Sequence, residues 1–326
     1  MDRERICCFP NRPPSRPSLK MMTAAVSFAG FLPSPSRPCG PRSLRARRVF
    51  LIVAMLAVFG WRPCTTASAV QILAGIAKVE ISDPRVKPLH DPLYVKALVL
   101  QDDATAAVVV SVDAVAIGEI GRIDNDFLAR VRGQLEKDSK VEPAHVLVSA
   151  THCHGAVCPD IAERTVQAVK EAWRSMVPVK VGAGTGREDR ISENRRMTLK
   201  DGSQVDMRRA YSMPPDEEVA SIGPIDPQIG LLRLDREDGT PLAAVYNFAC
   251  HPIMNPPSIG NTADFPSVAS RVIEQSLGAG AIAMFVQGCC GDINPVRYKQ
   301  VLHPASAEPL GNALGIREAL QVFWTV

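Results

Sequence analysis

The sequence predicts an α/β protein in which layered, mixed β-sheets are flanked by helices. Short apolar runs rich in β-branched residues alternate with segments whose apolar residues recur at helical spacing. Three of the apolar runs end in polar turns marked by Gly or Pro. The chain has 326 residues, of which 46% are hydrophobic, so it can bury a sizeable core.

The segment before Val70 predicts a leader and not a part of the fold. Residues 1–48 are rich in Pro, Ser and Arg and have no apolar period, which predicts a disordered basic leader. The short apolar run 49–59 and the small residues 67–69 predict that 49–69 holds the core and cleavage site of a signal peptide. The alternative is a membrane anchor, although the run is short for a span. We expect a secreted or periplasmic protein.

Charge and cysteine content exclude several classes of protein for the remaining domain, 70–326. The net charge of +3 comes from the basic N-terminus, and only 5% of residues are aromatic, so nothing indicates a nucleic-acid partner. The domain has five irregularly spaced cysteines, which do not form a disulfide framework. A Cys153–Cys158 bridge and buried free thiols both remain open.

The first half of the domain alternates strands and helices. A strand containing a Gly opens the domain, and the apolar runs predict two more strands, a helix, a short strand and a second helix. In order, these segments are Gln71–Ile81, Leu93–Leu100, Ala106–Val112, Ile120–Leu135, Ala144–Val148 and Ile161–Trp173.

The second half begins with a strand over Val177–Val181, where Pro178 favours a sheet edge and the following Gly-rich run 182–186 favours a loop. The sequence then predicts a β-hairpin that turns at residues 236–239. The remaining predicted elements are the hairpin strands Ile229–Leu234 and Leu242–Phe248, a helix from Asp264 to about Leu277, a strand Ala281–Val286 and a helix from about Leu310.

Histidines stand where two predicted strands end. His152 and His154 are two residues apart after the strand 144–148, so their side chains share a face. His251 occupies the matching position after the strand that ends at Phe248. Imidazole is the commonest metal ligand, so the sequence predicts part of a zinc site, although a hydrogen-bonded pair is the alternative. A zinc site requires the His152 and His251 rings to lie within roughly 10 Å.

Four other polar residues accompany these histidines. Asp264 either caps a helix or orients a metal-bound histidine. Arg195 either binds a developing oxyanion or is merely solvated. Asp292 and Asn294 follow the third apolar strand, and the nearby Cys289 and Cys290 allow the weaker hypothesis of a cysteine nucleophile.

Together these motifs resemble the neutral/alkaline, non-lysosomal ceramidase family. The resemblance extends over essentially all of the chain from Val70 onward, and the order of its motifs is more specific than any one of them. The matching segments are Ala74–Ser82, Thr151–His154, Asn194–Arg195, Asn247–Pro252, Ala263–Pro266 and Gln287–Pro295.

The resemblance implies a ceramidase-like catalytic domain that uses Zn²⁺ to cleave the amide between a fatty acid and a sphingoid base. His152 and His251 would be zinc ligands, while His154 and Arg195 would help to hold the oxyanion. The family serine is replaced by Asn294, which cannot attack a carbonyl but can donate a hydrogen bond. A lipid substrate also implies contact with a membrane surface.

The family supplies further zinc ligands, an acid and a tyrosine, downstream of its last matching motif. We therefore expect a domain that is incomplete at its C-terminus, and a site of two histidines would hold zinc weakly. The function predicted from the sequence is a secreted, zinc-dependent hydrolase of linear amides. The alternative is a non-catalytic remnant or binding protein that keeps the fold.

Overall fold

An eight-stranded sheet that curls back on itself is the framework of the protein. The computed structural model describes residues 71–139, 141–206, 214–254, 260–278, 280–296 and 306–322. All of them belong to one compact unit, Ser68–Val326. The predicted leader and signal peptide lie outside the described residues.

The described residues form thirteen strands, four α-helices and two short 3₁₀ helices, Pro143–His145 and Asp216–Glu218. The helices are α1 (Phe127–Ser139), α2 (Ile161–Arg174), α3 (Asp264–Leu277) and α4 (Glu308–Val322). The strands are β1 (Ile72–Glu80), β2 (Tyr94–Gln101), β3 (Ala106–Val112), β4 (Val146–Ala150), β5 (Val177–Arg187), β6 (Ser192–Asn194), β7 (Arg196–Leu199), β8 (Gln204–Asp206), β9 (Val219–Ile222), β10 (Gln228–Arg236), β11 (Pro241–Phe248), β12 (Ile282–Gln287) and β13 (Ile293–Pro295).

The main sheet is mixed, as the sequence predicts. Its strand order is β12-β11-β10-β5-β1-β2-β3-β4. The outermost pairs, β3 with β4 and β11 with β12, are parallel, whereas the inner neighbours pair antiparallel. Each parallel pair is joined through a helix, α1 or α3. Two small sheets, β13-β6 and β8-β7-β9, accompany it.

Two side-chain hydrogen bonds show that the ends of the sheet fold over each other. The ammonium of Lys96 on β2 donates to the carbonyl oxygen of Ala283 on β12, at 2.7 Å. The hydroxyl of Ser111 on β3 donates to the carbonyl oxygen of Phe285, also on β12, at 2.5 Å. The curl therefore brings β12, at one edge of the sheet, onto the strands at the other edge.

Three apolar cores separate the resulting layers. One packs α1 and α2 against β1–β4, with Phe127 and Val131 at its centre. Another packs α3 and α4 against β10–β12, around Phe265 and Phe285. The third lies between the two halves of the sheet and includes Leu98 on β2. Because side chains alternate between the faces of a strand, each half-sheet fills two cores, and the α/β layered class is confirmed.

Three local predictions are wrong, each for a physical reason, and the third concerns Pro178. The helix predicted from Ile120 begins only at Phe127, because Gly118, Glu119 and Gly121 have positive φ values of 120°, 63° and 86°. The Gly-rich run 182–186 is strand, since β10 pairs with it throughout and supplies the ladder that its own composition does not favour.

Pro178 does not lie on an edge strand, because β5 is between β10 and β1. Its missing N–H is nevertheless tolerated, since pairing with β10 begins only at Val179 and Pro178 faces a single partner, Leu73. The hairpin β10–β11 and the helix α3 occur where the sequence predicts them.

The five cysteines of the domain are free thiols, four of them buried, and this outcome favours the thiol alternative over a Cys153–Cys158 bridge. No helix in the part of the chain that the structure describes is long and apolar enough to cross a membrane.

Candidate metal centre

The curled sheet brings the carboxyl ends of its two parallel pairs together. His152 follows β4 by two residues, and His251 follows β11 by three. In open α/β sheets, binding sites lie at the carboxyl ends of the strands. In this sheet the carboxyl ends of the first and last strand pairs meet, so a site is expected between them.

Three imidazoles converge at this edge. The ring of His152 lies 4.3 Å from that of His251 and 5.7 Å from that of His154, and the other two rings are 5.8 Å apart, centroid to centroid. One potential ligand atom from each residue lies within 4.8 Å of the others. The expected proximity of His152 and His251 is confirmed. His154, which the strand spacing places on the same face as His152, offers a third potential ligand in place of the oxyanion role that the resemblance implies for it.

Backbone carbonyls fix the tautomers of two of these rings. Nδ1 of His152 donates to the oxygen of Val115 at 2.6 Å, and Nδ1 of His251 donates to the oxygen of Cys290 at 3.3 Å. A carbonyl oxygen only accepts, so both protons sit on Nδ1 and both Nε2 lone pairs are free. Metal-binding histidines are commonly oriented in this way.

The electrostatics favour the neutral form of two of the imidazoles, His154 and His251. Burial lowers the pKa of His251 to about 4, and the neighbouring His152 acts in the same direction. Burial, followed by the effect of His152, also lowers the pKa of His154. Protonated imidazole cannot bind a metal, so these shifts leave the cluster competent as a ligand set at neutral pH.

His152 is held in a strained backbone conformation, with a φ of 68°. Its amide donates to the carbonyl of Ala114, and the amide of Thr151 donates to that of Val112, both at 2.9 Å. A β-carbon in the left-handed region costs free energy that the surrounding hydrogen bonds must offset. Strain of this kind is typical of functional sites.

The chemistry of this cluster fits a zinc ion. Neutral imidazole suits zinc, and three protein nitrogens leave one tetrahedral position for substrate or water. Nε2 of His154 is buried and has no hydrogen-bond partner among the described residues, so it is available to bind a metal ion.

Arg195 lies beside the cluster on the loop between β6 and β7. It is buried, its Nε is 3.3 Å from a carboxylate oxygen of Asp206, and its charge also lowers the pKa of the half-buried His251. Asp292 anchors this loop, because its carbonyl accepts the Arg195 amide at 2.8 Å and its carboxylate accepts from Asn194 at 3.2 Å. The cation therefore has a fixed position near the imidazoles.

Asn294 comes directly after Ile293, whose backbone carbonyl positions His251. The amide of His251 donates to the carbonyl of Ile293 at 2.8 Å, and Asn294 is the next residue on β13. Asn294 is buried, and neither atom of its carboxamide has a hydrogen-bond partner among the described residues. A buried amide without partners is costly, so it is available to a ligand.

Asp264 is buried at the start of α3, with a φ of 60°. Its carboxylate accepts the amide of Phe265 at 2.7 Å, while its own amide donates to the hydroxyl of Thr262 at 2.9 Å. The N-cap of α3 is Ala263 and it has no side-chain cap hydrogen bond, so Asp264 is the first helical residue and not the cap that the sequence allows. The orientation of a metal-bound histidine by Asp264 stays a prediction.

The hypothesis of a cysteine nucleophile is weakened for Cys290, which is buried, and stays a prediction for Cys289, which is exposed. Burial raises the pKa of Cys290 to about 11, so its thiol is protonated at neutral pH. The thiolate is the nucleophile in cysteine hydrolases, so Cys290 is inert under these conditions.

A cavity of about 250 Å³ adjoins His154. Its wall includes Val115, Arg122 and Gly155. The loop between β3 and α1 therefore makes two contributions. The carbonyl of Val115 orients His152, and Arg122 adds a cation to the cavity wall. The sequence carries no signal for either contribution, because a carbonyl is common to every residue and Arg122 lies in a segment whose apolar spacing suggested helix.

No family model and no curated protein matches this chain. Among solved structures it is similar to the neutral ceramidase from Pseudomonas aeruginosa, with 18% identity and a TM-score of 0.58 over 79% of this chain and 45% of that one. A ceramidase complexed with C2 matches equally, over 78% and 44%. The chain thus spans less than half the length of these ceramidases. At this identity the likeness concerns the fold alone, and the fold of the described domain is ceramidase-like.

Proposed function

We propose that this protein is a zinc-dependent hydrolase that cleaves the N-acyl amide bond of a sphingolipid or a similar acylated amine. The observation that carries the proposal is the convergence of three imidazoles, two of them oriented by backbone carbonyls. The ceramidase-like fold supports a hydrolase, and we extend the resemblance to membership of the ceramidase family.

Each residue of the site has a role in this proposal. His152, His154 and His251 hold zinc, which when bound supplies Lewis-acid activation of a carbonyl and of water. Assigning His154 to the metal replaces the oxyanion role that the resemblance implies for it. Arg195 stabilises the negative charge that develops on the amide oxygen, and the carboxamide of Asn294 donates a hydrogen bond to the same oxygen.

The test is turnover of a panel of N-acyl substrates by the full chain, with metal content measured on the same samples. We expect His152→Ala and His251→Ala to lose at least roughly 100-fold in kcat/KM, since each removes a ligand. The control is His145→Ala, because His145 is 40% exposed and outside the cluster. Chelator-resistant turnover that survives both cluster substitutions would reject the proposal.

A non-catalytic binding protein is the second candidate, and Asn294 favours it, because the resemblance places a serine nucleophile at that position. Under this alternative the wild-type chain binds acylated amines and zinc without releasing fatty acid. If the wild type releases fatty acid from any member of the panel and His251→Ala does not, the protein is an enzyme and this alternative is rejected.

We also propose that the protein is exported, on the basis of the signal-peptide pattern in 49–69. Export predicts a mature N-terminus near Val70. N-terminal sequencing of the tagged protein from the medium or periplasm tests this, and full-length material confined to the cytoplasm would contradict it.

A further inference from the structure

Among the described residues, the wall of the cavity beside His154 has one cation and no carboxylate. Of the described residues that line it, only Arg122 and His154 have titratable side chains. The remainder of the wall is backbone, small apolar side chains such as Val115 and Val157, and the amide of Asn261. A ligand group that enters from the metal centre therefore meets a single positive charge.

The charge of Arg122 is only partly neutralised by its neighbours. Its Nη1 donates to the buried carboxylate of Asp83 at 2.7 Å, but Arg85 donates to both oxygens of the same carboxylate, each at 2.9 Å. The hydrogen bonds from Arg85 hold the pKa of Asp83 well below its usual range, so the carboxylate is ionised. Two guanidinium groups share one carboxylate, and the cluster has a net charge of +1.

Hydrogen bonds engage both the side chain and the backbone of Asn261 in the wall. The side chain of Asn261 accepts from the amide of Ala156 at 2.7 Å and donates to the carbonyl of Ala156 at 2.9 Å. Its backbone bonds Pro88 and His90. The guanidinium of Arg122 keeps N–H groups beyond the one bonded to Asp83, and its side chain is 51% exposed. The fork geometry of these groups matches a carboxylate.

The size of the cavity limits the group that it can hold. With a volume of roughly 30 Å³ per water-sized group, about 250 Å³ accommodates about eight non-hydrogen atoms. This volume suits a small amino acid, whereas a long alkyl chain must lie elsewhere.

We infer that the amine half of the substrate carries a carboxylate, which Arg122 binds, so that the substrate class is N-acyl amino acids. This inference rests on the proposed hydrolase function. In the reaction the amide C–N bond breaks, water adds its hydroxyl to the acyl carbon and its proton goes to the nitrogen. The products are a carboxylic acid and a free amino acid.

The experiment compares an N-acylglycine with the N-acylglycinamide of the same acyl chain, using the zinc-loaded full chain. We expect kcat/KM to be at least roughly tenfold higher for the acid. Arg122→Gln should lower kcat/KM for the acid by roughly 10–100-fold and change that for the glycinamide by no more than about twofold, since only the acid offers a charge-assisted hydrogen bond. Arg122→Lys should retain part of the preference, because it keeps the charge but not the fork.

The matched control is Arg271→Gln, since Arg271 is 50% exposed, is ion-paired to Glu308 and does not line this cavity. Circular dichroism and zinc content identify variants that misfold. Equal kcat/KM for acid and glycinamide in the wild type, or an equal loss for both in Arg122→Gln, overturns the inference and leaves the hydrolase intact.

If neither compound is hydrolysed, calorimetric binding of the N-acylglycine separates the two proposals. Binding that weakens in Arg122→Gln but not in Arg271→Gln supports the carboxylate site while the hydrolase fails. If the N-acylglycine does not bind, or if Arg122→Gln leaves its affinity unchanged, the carboxylate site is overturned as well.

Discussion

A single methyl group added at Gly288 should disturb the metal centre from outside it. Gly288 directly follows β12, and a β-carbon there would lie 3.0 Å from the backbone nitrogen, Cα and Cβ of Ala249. Ordinary contacts are longer, so Ala249 must move by a few tenths of an ångström. Ala249 lies two residues before His251, and the amide of Gly288 bonds the carbonyl of Phe248 at 3.0 Å. The displacement is therefore transmitted along the segment that carries His251.

The size of the effect follows from metal geometry. Ligand distances tolerate about 0.2 Å, so a shift of a few tenths of an ångström in His251 should weaken zinc binding roughly 10–100-fold. The overpacking should cost about 1–3 kcal/mol of unfolding free energy. Gly288→Ala therefore produces a folded protein with poor zinc affinity.

The assay is competition for zinc against a fluorescent chelator, with urea unfolding measured on the same samples. Gly291→Ala is the control, because a β-carbon there meets nothing within 4 Å. We expect the control to bind zinc like the wild type. A folded Gly288→Ala protein with unchanged zinc affinity would refute the transmission through Ala249.

Two further predictions concern buried polar groups. Tyr246→Phe should cost about 1–3 kcal/mol in urea unfolding, since it removes buried bonds to the Pro266 carbonyl at 3.0 Å and the Ser270 hydroxyl at 2.9 Å; unchanged stability would contradict this. Burial raises the pKa of Asp113 from 3.8 to about 6, so the folded state binds more protons between these values and wild-type stability falls as pH rises through them. Asp113→Asn should therefore be more favourable relative to wild type at pH 7 than at pH 4, by about 2 kcal/mol, and a pH-independent difference would exclude this effect.

Local sequence patterns predicted the elements that local chemistry determines. The Asp-Gly turn of the hairpin, the apolar strands and the start of α3 at Asp264 follow from short-range preferences. The sequence also indicated His152 and His251, because they lie two and three residues after the ends of apolar strands.

Long-range contacts explain what the sequence did not predict. Pairing with β10 makes a strand of the Gly-rich run 182–186, and three left-handed residues in the loop 118–121 delay α1. The curl of the sheet depends on bonds such as Lys96 to Ala283, between residues far apart in the chain. Because that curl determines which strand ends meet, the sequence could place His152 and His154 on one face but could not establish that the ring of His251 joins both of them.

Zinc stoichiometry is the most direct test of the metal centre. Elemental analysis of the purified full chain should give one zinc per chain for the wild type and for His145→Ala, and well below one for His152→Ala, His154→Ala and His251→Ala. The loss in His154→Ala is specific to a site of three imidazoles. Full zinc occupancy in all three cluster variants, or its absence from the wild type after zinc loading, would contradict the account.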